Sequence, residues 1–140
     1  MQINKKLINQ KDIFELTNTQ TISVSDISHT GTASNITTTD MSISYNDDLN
    51  TASFVGNINI GKTGTTPGNI TFNTNLRPSS ETTIKGNVLR IISAGATVEN
   101  VLIHSITIST SGVITIPYTY VSSGNDSCRF SFLGFPITLA

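Results

Sequence analysis

Two long runs of alternating apolar residues, Ile84 to Ile92 and Val98 to Ile108, do most to limit what this chain can fold into. A tight turn at Thr110-Ser111-Gly112 follows, and the chain returns through Val113-Ile114-Thr115-Ile116. Successive side chains of an extended chain point to opposite faces, so apolar residues alternating with Ser and Thr build a strand buried on one face. The stretch containing these runs, Leu76 to Thr138, opens on the turn Asn75-Leu76-Arg77-Pro78-Ser79-Ser80. It closes on Phe130-Ser131-Phe132 and Phe135-Pro136-Ile137.

The rest of the chain reads as strands that complete what this stretch begins. Met1 to Lys11 has Ile3, Leu7 and Ile8 at helix-compatible spacing, but about three turns are marginal for an isolated helix. Residues 1–12 are therefore expected to be an arm or connector, and residues 13–140 one β-barrel domain. Strands are expected at Ile13–Leu16, at Thr21–Ile27 (Ile22 and Val24 alternating with Ser23 and Ser25), at Met41–Tyr45 and at Ser53–Ile60, with a bulge at Gly56. Ser28–Asp40 is expected to hold a loop or an edge segment, and Gly61–Gly68 a loop. A short strand at Ile70–Phe72 precedes the Arg77-Pro78 turn. Further strands are expected at Thr82–Ile92, Val98–Ser109, Val113–Val121 and Ser127–Leu133. Short strands, turn clusters and connections too brief for helical crossovers predict an all-β fold, an antiparallel barrel or jelly-roll-like sandwich.

Composition narrows the function classes. Asp, Glu, Lys and Arg make up 12% of the 140 residues and the net charge is −1, so nothing suggests electrostatic capture of nucleic acid or of an anionic membrane. No run of 18 apolar residues occurs, and no membrane span is expected. The basic start Met1-Gln2-Ile3-Asn4-Lys5-Lys6 is not followed by the apolar core of a signal peptide, which predicts synthesis in a cytoplasm. Ser, Thr and Asn supply the polar surface. A Ser/Thr face can sit against a neighbouring subunit without the cost of desolvating charges.

Chemistry-bearing motifs are few. Gly56-Asn57-Ile58-Asn59-Ile60-Gly61-Lys62-Thr63 matches the phosphate-loop pattern. That chemistry needs amides curled around a phosphate and a helix starting at the Lys. Here Ile58 and Ile60 alternate as in a strand, and Gly64-Thr65-Thr66-Pro67-Gly68 cannot start a helix. Cys128 is alone, so no intrachain disulfide or cysteine-based zinc site forms, and it reads as a small buried hydrophobe. Asp47-Asp48 share a turn and diverge, and no carboxylate pair is singled out for glycoside hydrolysis. No Ser lies in a G-x-S-x-G elbow. No enzymatic activity, metal or cofactor is expected.

Four segments stand out together: Val55-Gly56-Asn57-Ile58-Asn59-Ile60, Leu76-Arg77-Pro78-Ser79-Ser80, the hairpin Ile106 to Ile116 and the aromatic-rich end Phe130 to Phe135. In these the chain resembles the receptor-binding heads of tailed bacteriophages, above all the baseplate and tail-tip heads of siphophages of lactococci and related Gram-positive bacteria. The resemblance implies a homotrimer of β-barrel heads in the virion, on a tail or baseplate among other tail proteins. It implies adhesion to a host cell-wall or surface polysaccharide, with sites near subunit boundaries. The alternative is a structural fibre or accessory baseplate protein without a saccharide site. Such sites often use a Trp platform, and this chain has no Trp. Sugar stacking would fall to Tyr45, Tyr118, Tyr120 or a Phe, with Tyr118 and Tyr120 the leading candidates. The loop Ser122-Ser123-Gly124-Asn125-Asp126 with Arg129 offers an acceptor in Asp126 and a donor in Arg129. His104, on a largely apolar face, completes the candidate saccharide contacts as donor or acceptor. Arg77 and Pro78 are expected to shape a structural turn.

Overall fold

A computed structural model describes residues 18–94, 97–118 and 127–140. Its strands are β1 (Asn18–Thr21), β2 (Ile27–His29), β3 (Ser34–Asn46), β4 (Thr51–Lys62), β5 (Gly68–Asn73), β6 (Thr82–Ala94), β7 (Thr97–Ile108), β8 (Val113–Tyr118), β9 (Ser127–Leu133) and β10 (Ile137–Thr138). They form one sheet in the order β1-β3-β4-β9-β6-β7-β8-β5-β2, with β10 on β4. Every pairing is antiparallel. The sheet curls into a half-barrel, so the expected antiparallel all-β architecture is the one observed. The expected arm, residues 1–12, and the expected strand Ile13–Leu16 lie outside the described residues.

The two edge strands of this sheet are consecutive in sequence. β1 pairs with β3 from Asn18↔Tyr45 to Thr21↔Ser42, and the Ile22 amide extends that ladder to the Met41 carbonyl at 2.8 Å. β2 pairs with β5 at the far edge, from Ile27↔Phe72 to His29↔Ile70. Residues 18–29 thus bridge both edges. Gln20 strengthens the bridge: its Nε2 donates to the Asn73 carbonyl at 3.2 Å, and its Oε1 accepts the Asn75 amide at 3.0 Å.

This corrects the strand expected over Thr21–Ile27. Ile22 is buried, but Val24 is 51% exposed, and Val24–Asp26 is a 3-10 turn. The cause is local. The Asp26 carboxylate accepts the Ser23 amide at 2.8 Å and the Ser23 hydroxyl at 2.9 Å, so side chains replace a strand ladder. These bonds hold the Asp26 pKa below its ordinary value.

β3 is longer than Met41–Tyr45 because it contains a bulge. Its register on β4 shifts between Thr39↔Asn57 and Ser42↔Val55, which leaves Asp40 and Met41 opposite Gly56. Asp40 has φ 48° and Gly56 φ 102°. A side chain at Gly56 would run into the Asp40 backbone, so glycine is required there. The phosphate-loop match lies inside β4, where Ile58 and Ile60 are fully buried.

The core is the inward row of each strand: Phe54, Ile58 and Ile60 of β4, Ile70 and Phe72 of β5, Ile106 and Ile108 of β7, Ile114 and Ile116 of β8, and Phe130 and Phe132 of β9. The Arg77 turn packs against the hairpin between β7 and β8. Arg77 Nη1 donates to the carbonyls of Thr74 (2.9 Å) and Leu76 (2.6 Å), and the Thr74 hydroxyl donates to the Gly112 carbonyl at 2.7 Å.

Candidate functional site

β9 lies between β4 and β6, and its alternation sorts the candidate residues by face. Cys128, Phe130 and Phe132 are buried inward, whereas Arg129 is exposed on the outer face. The registers Asn59↔Arg129 and Arg129↔Ile91 place Asn59, Arg129 and Ile91 in one row across β4, β9 and β6. Opposed side chains in such a row begin about 5 Å apart, close enough to meet one ligand. A second row, Ser127↔Ser93 and Ser93↔Val98, lies beside it.

These two rows line an open cleft of about 400 Å³. Asn59 and Arg129 offer an amide and a guanidinium, Ser93 and Ser127 offer hydroxyls, and Ile91 and Val98 offer apolar surface. Among its described lining residues Arg129 carries the only charge, and no carboxylate is present. No group of three His, Cys, Asp or Glu among the described residues could hold a metal ion. The arrangement suits hydrogen bonding to a neutral or acceptor-rich ligand and offers no acid–base pair.

His104 and Tyr118 do not join this cleft. His104 pairs with Val88 and faces inward, where its ring lies 5.1 Å from that of Phe130. Burial lowers its pKa. A hydrogen bond to the Pro117 backbone opposes that shift, and the Arg90 charge adds to it. The Nε2 atom is buried without a hydrogen-bond partner. Pro117 has no N–H, so the carbonyl accepts, and Nδ1 is the donor.

Tyr118 was expected to stack on sugar, and its burial corrects that expectation. It is only 2% exposed, and its hydroxyl donates to the Thr30 carbonyl at 2.6 Å while accepting the Ala33 amide at 3.0 Å. No ring face is left for a ligand. Tyr120 and Asp126, with the loop Ser122–Asp126, lie outside the described residues. Of the three expected contacts among the described residues, Arg129 alone lines the cleft.

Asn59, Ser93 and Ile91 were missed in the sequence reading. Their signal was parity: each alternates with a buried neighbour on a strand adjoining β9. Cys128 borders the cleft but is buried, and burial raises its thiol pKa to about 11, the Arg90 charge only partly opposing this. A smaller apolar cleft of about 180 Å³ lies between β2 and β3, lined by Ile27, His29 and Ile36 among others. No family model, no curated protein and no solved structure matches the chain.

Proposed function

We propose that this protein is a non-catalytic attachment head that binds a saccharide of a host cell surface through the cleft around Arg129. The observation that carries the reading is the row Asn59–Arg129–Ile91, in which an amide and a guanidinium stand beside an aliphatic surface in an open cleft. Sugars present hydroxyls at the ring edge and C–H groups on the ring face, and this mixture of donors and apolar atoms can meet both. The resemblance of the β4 segment, the Arg77-Pro78 turn and the β7–β8 hairpin to phage receptor-binding heads supports the same reading. On that reading the chain sits in a virion, on a tail or baseplate as a homotrimer among other tail proteins. Weak single sites would gain strength from several copies.

The test is binding of the purified chain to host-type cell-wall polysaccharide, compared with Arg129→Ala, Asn59→Ala and the surface control Ser28→Ala. Tenfold or greater weakening in the first two, with the control unchanged, is the expected result. Undiminished binding in both variants would remove the site. An absence of polysaccharide binding by the unaltered chain would leave the structural fibre or accessory role. Release of reducing ends would make it a depolymerase.

A further inference from the structure

A seam interrupts the curled sheet between β2 and the first half of β3. No ladder joins these two strands, and the smaller cleft of about 180 Å³ lies between them, lined by Val24, Ile27, His29, Ser34, Asn35 and Ile36. The Thr30 amide donates to the Asn69 carbonyl at 3.0 Å, continuing the register His29↔Ile70. In a strand the backbone groups of successive residues point to opposite sides, so Ser28 and Thr30 face β5 while Ile27 and His29 face the seam. The Ile27 amide is taken by the Val24 carbonyl. The Ile27 carbonyl and both backbone groups of His29 therefore point toward β3, and no strand among the described residues answers them. Across the seam Ile36–Thr39 presents a bare edge as well, because β1 covers β3 only over Ser42–Tyr45, with the Ile22 amide reaching Met41.

The seam is closed at both ends. At one end the chain crosses it through the Ser23–Asp26 turn, and at the other the Thr30–Ala33 turn is held by the Tyr118 hydroxyl. Left-handed backbone at Asn35 (φ 55°) and Asp40 (φ 48°) bounds the bare edge of β3. A whole strand has no way through, but a single peptide-like unit fits between the ends. In a strand flanked on both sides, each trans amide points its carbonyl at one neighbour and its N–H at the other. We propose that the seam binds a small secondary amide in place of the missing strand, namely the acetamido group of an N-acetylated sugar. Its carbonyl accepts the His29 amide, its N–H donates to a carbonyl of the β3 edge, and its methyl rests on Val24, Ile27 and Ile36. The exposed side chains of His29, Ser34 and Asn35 are left to meet the ring hydroxyls. The two clefts share no lining residue, and this inference does not rest on what Arg129 binds.

The experiment is titration of the full chain with N-acetylglucosamine up to about 100 mM, followed by backbone amide NMR shifts, because so small a ligand binds near millimolar strength. Glucose, which lacks the amide, is the matched control. The His29 amide is expected to shift and saturate with N-acetylglucosamine and to stay still with glucose. His29→Ala keeps the backbone N–H and is expected to bind within about twofold of the unaltered chain, whereas His29→Pro removes a donor that β5 does not use and is expected to weaken binding about three- to tenfold, the loss of one hydrogen bond. Val24→Ala trims the exposed aliphatic wall and is expected to weaken binding about threefold, which keeps the test alive should His29→Pro fail to fold. An unmoved His29 amide, equal shifts with glucose, undiminished binding in folded His29→Pro or in Val24→Ala, or shifts confined to Asn59, Ser93 and Arg129 would each overturn the inference.

Discussion

The hydroxyl of Tyr118 donates to the carbonyl of Thr30 across 2.6 Å and ties the end of β8 to the turn between β2 and β3. The same oxygen accepts the Ala33 amide. Removing it strands a buried donor and an acceptor. Tyr118→Phe is expected to lower stability by about 1–3 kcal/mol, the cost of unsatisfied buried groups. Urea unfolding reads this. Binding by the cleft on the outer face is expected to be unchanged.

Gly56 stands opposite the bulge at Asp40 and Met41. Gly56→Ala adds a side chain at φ 102° and drives it against the Asp40 backbone. The expected destabilisation is about 1–3 kcal/mol from backbone strain, with the collision adding to it. A lowered melting temperature, with the β-sheet circular dichroism retained at 20 °C, is the outcome to look for.

His104 makes stability depend on pH. Its pKa in the folded chain lies below the ordinary 6.5, because burial disfavours the imidazolium. The unfolded chain therefore takes up the proton first. Stability is held above about pH 6.5 and falls as acid carries the pH below that value toward the folded pKa. The urea midpoint is expected to drop between about pH 7 and about pH 5, and this slope is expected to flatten in His104→Asn. Equal slopes would remove His104 as the cause.

Cys128 is buried and its thiol titrates near 11, so little thiolate exists at neutral pH. Alkylation of the folded chain at about pH 8 is expected to be at least about a hundredfold slower than in denaturant. A mass shift at equal rates would contradict this burial.

Most of the sheet was legible because its inward residues are large and regular. Ile58 and Ile60, Ile70 and Phe72, Ile114 and Ile116, and Phe130 and Phe132 each alternate with polar neighbours, and each pair is buried. Alternation failed where other forces set the backbone. At Ile22 and Val24 the Ser23–Asp26 bonds turn the chain. At Asp40 and Met41 a bulge shifts the register, so the strand runs on from Met41–Tyr45, whose alternation holds with Met41 and Ile43 buried, into Ser34–Thr39, a stretch expected to be a loop or an edge segment. The candidate site was less legible. Arg129 stood out as a guanidinium near a polar loop, but its partners Asn59 and Ile91 are distant in sequence and meet it only through pairing on both sides of β9. Tyr118 was misread because a phenol written between a Pro and a Thr gives no sign of which end is buried.

The central place of β9 bears on how the molecule is made. A ribosome delivers this strand after β1 through β8, yet it fills the middle of the sheet between β4 and β6. Until it emerges, the backbone of Val55–Ile60 and that of Val88–Ser93 lack the partner that joins them. Two half-sheets must then wait, each exposing an adhesive edge to other nascent chains. Yield of soluble protein should therefore respond to slower synthesis or chaperone supply more than to any change at the outermost strands.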